Sequence, residues 1–177
     1  MSEPVTLFVD RLSSPVGELV VVVDADGNLR MLSFGAENGR VETRLGRQFG
    51  KGKFALVSKK NPGGISEKLR AYFRGNLKAI ERLPVKAPGT PFQRAVWAEL
   101  RKIPCGKTIS YGELARRIGR PKAQRAVGLA NNRNPIGIVV PCHRVIGANG
   151  ALTGYGGGMG NKRWLLEHEG ALEQGAL

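Results

Sequence analysis

The chain is poor in the residues that build metal centres and disulfide frameworks: its 177 residues contain two cysteines, Cys105 and Cys142, and two histidines, His143 and His168. All four lie in the second half, so the first half has no thiol or imidazole with which to hold a transition metal. Long hydrophobic runs are missing as well. The longest purely apolar stretch, Leu19 to Val23, is far short of the roughly 18 residues of a membrane span. The start, Met1-Ser2-Glu3-Pro4, lacks the basic-then-apolar pattern of a secretory signal. A cytoplasmic protein with no membrane partner and both thiols reduced is expected.

Negative charge is the other scarcity. There are 14 acidic against 28 basic residues, a formal net charge of +14 and a pI near 10.5. Such an excess suits a polyanionic partner, most simply nucleic acid, though charge alone fits a merely solubilising surface equally well. Its position sharpens the argument. Between Gln93 and Arg133 the basic residues are Arg94, Arg101, Lys102, Lys107, Arg116, Arg117, Arg120, Lys122, Arg125 and Arg133, against only Glu99 and Glu113. That region has helical patterning, as a DNA-binding face requires.

What is present divides in two. The first part reads as α+β: strands at Val5 to Val9, Gly17 to Val23 and Leu29 to Phe34, the last two joined by the hairpin turn Asp24-Ala25-Asp26-Gly27-Asn28. A helix from about Ala36 to Phe49, a strand near Phe54 to Ser58 and a loop at Asn61-Pro62-Gly63-Gly64 follow. Ile65, Leu69, Tyr72 and Phe73 then mark a helix that stops at Gly75. The Pro- and Gly-rich stretch 83–89 separates this scaffold, 1–82, from a second domain, 90–177. Thr90-Pro91-Phe92-Gln93 fits a capping box, with Phe92, Val96, Leu100 and Ile103 on the buried face. Ser110-Tyr111-Gly112-Glu113 offers a second capping box for a helix to about Ile118. Pro121 starts another, with Ala126, Val127 and Ala130 inward and Arg125 on the other face, giving a helix-turn-helix. Ile138-Val139-Val140 reads as a strand, Gly147 to Gly160 as a glycine-rich loop and Asn161 to Glu169 as a closing helix. The tail from Ala171 carries no signal.

The chemistry centres on Pro141-Cys142-His143-Arg144-Val145. A thiol with a pKa of roughly 8.5 is only about 3% thiolate at pH 7, so a working cysteine needs a base or a dipole beside it. His143 is adjacent, but neighbours on a strand point to opposite faces, so the pair cooperates only through a turn or a bridging water. Pro141 favours a turn. Cys142 is otherwise a small buried hydrophobe, and His168 is an alternative base. A nucleophile, a base and Glu169 as the base's orienting carboxylate form a recurrent catalytic set. The spacing of Cys105, Cys142, His143 and His168 matches no zinc site. Gly154-Tyr155-Gly156-Gly157-Gly158 lacks the strand and helix of a nucleotide-binding loop and suits a flexible pocket wall.

Taken with Arg125-Ala126-Val127-Gly128, Asn134-Pro135, Gly154-Tyr155 and Trp164-Leu165-Leu166-Glu167-His168-Glu169, the Pro-Cys-His-Arg-Val run resembles the O6-alkylguanine-DNA alkyltransferases. Asn61-Pro62-Gly63-Gly64 extends the likeness to the bacterial, constitutive members. The resemblance implies a ribonuclease-H-like first domain and a mostly helical second domain with a winged helix-turn-helix-like motif. It implies double-stranded DNA containing O6-alkylguanine as partner, no cofactor and no metal, and action as a monomer, several copies of which can line DNA. Cys142 would accept the alkyl group irreversibly, with His143 as base through a water, Glu169 orienting His143, Asn134 bracing the turn and Tyr111 donating a proton to the departing guanine. Arg125 would fill the space of the flipped nucleotide, with Ala126, Gly128, Tyr111 and Arg133 also at the DNA. Tyr155, Gly156, Val145 and Met159 would line the pocket. O4-alkylthymine stays open as a substrate. A damage sensor without transfer, a thiol hydrolase and an architectural DNA binder are the competing functions.

Overall fold

The computed structural model describes residues 3–35 and 38–172. Four strands, β1 (Val5–Leu12), β2 (Leu19–Asp24), β3 (Leu29–Phe34) and β4 (Phe54–Ser58), form one sheet in the order β3-β2-β1-β4. Asp24 shapes the β2–β3 hairpin: its carboxylate accepts from the N–H groups of Asp26 and Asn28 and pairs with Arg30 at 3.0 Å. β4 lies parallel to β1, and a parallel partner requires a crossover. Helix α1 (Asn38–Phe49) supplies it; the expected first turn at Ala36 falls outside the described residues. β2 starts at Leu19 rather than Gly17, because a turn closed by the Ser14 hydroxyl donating to Gly17 O occupies the preceding residues.

Every residue of β2 is buried, so both faces of the sheet are covered. Val20 and Val22 join Leu7, Met31, Val41 and Leu45 in one core, against which Val9, Phe49 and Phe54 pack. Val21 and Val23 turn the other way, as the period of two demands. On that side the Pro62–Gly64 turn comes within van der Waals reach of Val23. Helix α2 (Ile65–Phe73) follows and buries Ile65, Leu69 and Tyr72. The stretch expected as a linker is held against this unit: Leu29 N–H donates to Pro84 O at 2.8 Å and Lys86 N–H to Leu29 O at 3.0 Å. The chain accordingly divides into Met1–Pro88 and Gly89–Leu177.

The second unit opens with α3 (Pro91–Leu100), whose Thr90–Gln93 capping box forms in full. Gly89 is required beside it, since a Cβ there would lie 2.7 Å from the Trp97 ring. β5 (Ile109–Ser110) and β6 (Val145–Ile146) make a short parallel ladder. Between them come α4 (Tyr111–Arg117) and α5 (Gln124–Asn132), and α6 (Met159–His168) closes the unit. Ser110 caps α4 by accepting from Glu113 N–H, but the Glu113 carboxylate turns to Arg116 and Arg117, where two guanidinium groups hold it. Helix α5 begins at Gln124, not Pro121. Within it Val127 and Ala130 are buried, whereas Ala126 is exposed beside Arg125, correcting the inward placement read from the sequence. The Trp97 indole donates to Ala130 O at 2.9 Å and fastens α5 to α3.

Ile138-Val139-Val140 is not a strand. It is a buried turn in which Ile138 takes φ +69 and Val140 N–H donates to Ile136 O. A short apolar run reads alike as core strand or core turn. Here a side chain decides: Asn134 donates to Ile136 O and Val140 O and accepts from Ile136 N–H, supplying the backbone partners that a neighbouring strand would have provided.

Candidate active site

The β5–β6 ladder, pairing Ile109 with Val145 and Ser110 with Ile146, sets the geometry. Tyr111 follows β5 directly and Cys142–Arg144 precedes β6 directly, so residues far apart in sequence arrive together. Pro141 turns the chain and Cys142–Arg144 forms one 3₁₀ turn. Successive side chains then diverge by roughly 120°. Cys142 and His143 therefore do not face one another, though both are buried, at 8% and 0% exposure.

His143 is fixed by Glu169. Both carboxylate oxygens lie 3.0 Å from His143 Nε2, so the ionised carboxylate accepts from Nε2–H and leaves the lone pair on Nδ1. Nδ1 is buried and has no hydrogen-bond partner among the described residues. Burial works against charge on Glu169, but the His143 hydrogen bond and the Arg144 guanidinium outweigh it and hold the carboxyl well below the usual range. Arg144 donates from Nε to Oε1 at 2.8 Å and from Nη2 to Oε2 at 3.0 Å, and from Nη1 to Ile103 O. The imidazole stays neutral: burial lowers the His143 pKa more than Glu169 raises it.

Cys142 keeps its proton. Burial pushes its pKa up, against the opposing pull of the Asn134 side chain and the Lys162 charge, so the thiol does not ionise unaided. Asn131 of α5 donates to Cys142 O at 3.3 Å and ties the helix-turn-helix to the reactive turn. Tyr111 OH donates to Thr153 O at 3.2 Å, and Lys162 Nζ donates to the same oxygen at 2.8 Å and to Val145 O at 2.7 Å. Burial, only partly offset by the Thr153 bond, raises the Tyr111 pKa, so the phenol keeps its proton. The Lys162 pKa is lowered to about 8 by burial, with the Cys142 charge opposing.

The remaining expected residues are placed as follows. The Tyr155 ring meets His143 edge-on, with centroids 6.4 Å apart. Gly156 has open space at its Cβ position, so a side chain fits there. Val145 is fully buried, whereas Met159 opens α6 and is 41% exposed. Arg125, Ala126 and Arg133 are exposed on or just after α5. Gly128 faces the Tyr111 ring, 3.9 Å from where its Cβ would be. His168 stacks on Trp164, centroids 4.6 Å apart. Among the described residues no group of three or more His, Cys, Asp or Glu could hold a metal, and no helix is long and apolar enough to cross a membrane.

Sequence reasoning missed Arg144 and Lys162. Arg144 stood inside the motif without a role. Lys162 carried a usable signal: it shares the helical spacing of Leu165, Leu166 and Glu169, all buried.

Comparison with known proteins agrees with this layout. Residues 8–87 match the family model of the 6-O-methylguanine DNA methyltransferase ribonuclease-like domain, and residues 91–171 that of the 6-O-methylguanine DNA methyltransferase DNA binding domain. A methylated-DNA–protein-cysteine methyltransferase of Shigella flexneri is 51% identical over 166 residues, 94% of this chain and 97% of that one. One of Mycobacterium tuberculosis is 56% identical over 112 residues, 62% of this chain and 67% of its own. The solved structure of Mycobacterium tuberculosis OGT in complex with DNA superposes with a TM-score of 0.75 at 42% identity, covering 94% of each chain. With both of its halves matched in order and a relative aligned nearly end to end, the chain belongs to the O6-alkylguanine-DNA alkyltransferase family.

Proposed function

We propose that this protein repairs O6-alkylguanine in duplex DNA by one irreversible transfer of the alkyl group to its own Cys142. The observation that carries the reading is the buried Glu169–His143 pair beside the Cys142 turn, with the imidazole lone pair on Nδ1. His143 Nδ1 takes the Cys142 proton through a water, because the 3₁₀ turn points the two side chains apart. The thiolate attacks the alkyl carbon, a C–S bond forms as the C–O6 bond breaks, and the electron pair leaves with guanine. Tyr111 passes its proton to the departing base and prevents charge from building on the ring. Tyr111 is then reprotonated through solvent by the proton that His143 took. S-alkylcysteine remains, and the protein is consumed.

The target carbon lies within a base stack, so the nucleotide must leave it at a cost of a few kcal/mol. Arg125, exposed on α5, fills the space vacated, and Ala126 beside it allows the helix close to DNA. Arg133 contacts phosphate. Tyr155, Gly156 and Val145 enclose the flipped base, while Met159 lies at the rim. Such binding reads little sequence, as general repair requires. Cys142→Ser tests the reading: it abolishes transfer and leaves duplex binding at the wild-type level. Retained transfer excludes Cys142 as acceptor, and continued turnover by the wild-type protein would favour a hydrolase.

A further inference from the structure

The first unit carries positive charge for which the site in the second has no use. No acidic residue lies between Glu42 and Glu67, and within that interval Lys51 and Lys53 precede β4 while Lys59 and Lys60 follow it. All four are exposed, as is β4 itself except for the half-buried Phe54. β4 is also the last strand of its sheet. Val5 N–H donates to Lys53 O and Lys59 N–H donates to Val9 O, so the odd-numbered residues face β1. Phe54, Leu56 and Ser58 consequently turn their N–H and C=O groups away from it. The result is a row of outward main-chain donors with a pair of lysines at each end.

We infer that this lysine-flanked edge is a second contact surface for the DNA phosphate backbone, an inference that rests on DNA being the partner of α5. Lys53 and Lys59 stand about 20 Å apart along the strand, six steps at roughly 3.3 Å. That is the axial length of about six base pairs, so one duplex spans both pairs. Backbone N–H groups and lysines are the groups that hold phosphate without reading sequence. DNA held by the second unit presents phosphates to the first at high effective concentration, whereas a second copy of the chain would bring four lysines against four. The bland role of edge lysines is to keep strands of other chains from pairing there, and it makes a different prediction.

The test is the salt dependence of binding to undamaged duplex by the full chain. Neutralising the set (Lys51→Gln, Lys53→Gln, Lys59→Gln, Lys60→Gln) should reduce the slope of log K against log salt by about 1.8 or more, two phosphate contacts at about 0.9 each. A control (Lys68→Gln, Lys78→Gln, Arg82→Gln, Lys86→Gln) removes as many exposed charges from the same unit and should leave the slope near wild type. Both variants should consume free O6-benzylguanine at the wild-type rate, which shows them folded. Equal slope changes in the two variants would mean a long-range field and overturn the inference. A wild-type slope with new self-association would overturn it in favour of edge protection, and a wild-type slope alone in favour of no contact or an acidic protein partner. A salt-independent wild-type protein would remove the DNA reading along with it.

Discussion

Glu169→Gln removes one negative charge from a site where two buried side chains, His143 and Arg144, depend on it. Glu169 is 5% exposed, and its oxygens receive His143 Nε2–H at 3.0 Å and Arg144 at 2.8 and 3.0 Å. The glutamine amide keeps one acceptor oxygen and cannot neutralise the Arg144 guanidinium, itself only 8% exposed. Removing one partner of a buried pair costs about 3–5 kcal/mol. At about 4 °C per kcal/mol, the lower end for a unit of this size, melting of the second unit falls by roughly 12 °C or more. The proposed base is lost as well: an amide NH₂ donating to Nε2 forces the proton onto Nδ1, and the lone pair proposed to serve Cys142 disappears. Loss of a general base lowers rate by about 10²-fold or more. Thermal unfolding gives the first number. Consumption of free O6-benzylguanine, measured well below both transitions, gives the second without involving DNA. The acid limb follows the same carboxylate. Its folded pKa is depressed, so its stabilisation is complete above the unfolded value and is lost as pH falls through the folded one; the variant loses that part of its acid sensitivity. Wild-type melting together with wild-type rate would refute the reasoning.

Asn134→Ala strips three hydrogen bonds from the turn ahead of Cys142 and leaves the Ile136 N–H without its acceptor, while Ile136 O and Val140 O keep only the N–H groups of Val140 and Cys142. At about 1–3 kcal/mol for the unpaired N–H and about 0.5–1.5 kcal/mol for each of the other two bonds, denaturant unfolding should show a loss of at least about 2 kcal/mol, and a loss under about 1 kcal/mol would contradict the bracing role. Arg125→Ala should slow repair of duplex substrate by about tenfold or more while leaving reaction with the free benzylated base unchanged, because only the first needs a flipped nucleotide; equal losses would remove that role. The pH profile of transfer to the free base should have its acid midpoint below pH 6.5. Burial lowers the His143 pKa, so the base remains unprotonated at pH values where an ordinary histidine is charged. An acid midpoint at or above 6.5 would show that the imidazole is not held neutral.

Much of this was legible in the sequence where one local signal sufficed. Thr90-Pro91-Phe92-Gln93 specifies its capping box with neighbours alone, and Asp24 to Asn28 specify their turn. The Cys142-His143 pair and the basic helix-turn-helix were equally plain. What failed depended on long-range partners. Whether Ile138-Val139-Val140 is strand or turn is settled by Asn134, four residues earlier, taking over the hydrogen bonds. Ala126 faces out because the buried stripe of α5 is Val127, Ala130 and Asn131, and residue 126 lies one step of about 100° to the side of Val127. The meeting of Tyr111 with the Cys142 turn rests on a two-residue ladder too short to leave any pattern. Lys162 was passed over because charge reads as surface, although its spacing with Leu165, Leu166 and Glu169 placed it inside.

Where the alkyl group ends separates irreversible transfer from every competing function. Intact-protein mass followed by peptide mapping, after mixing with excess duplex carrying one O6-methylguanine, measures this directly. One added methyl group on Cys142, with no further reaction however long the mixture stands, is the predicted result. Unchanged mass in a protein that binds the lesion tightly, or a methyl group on another residue, would contradict it.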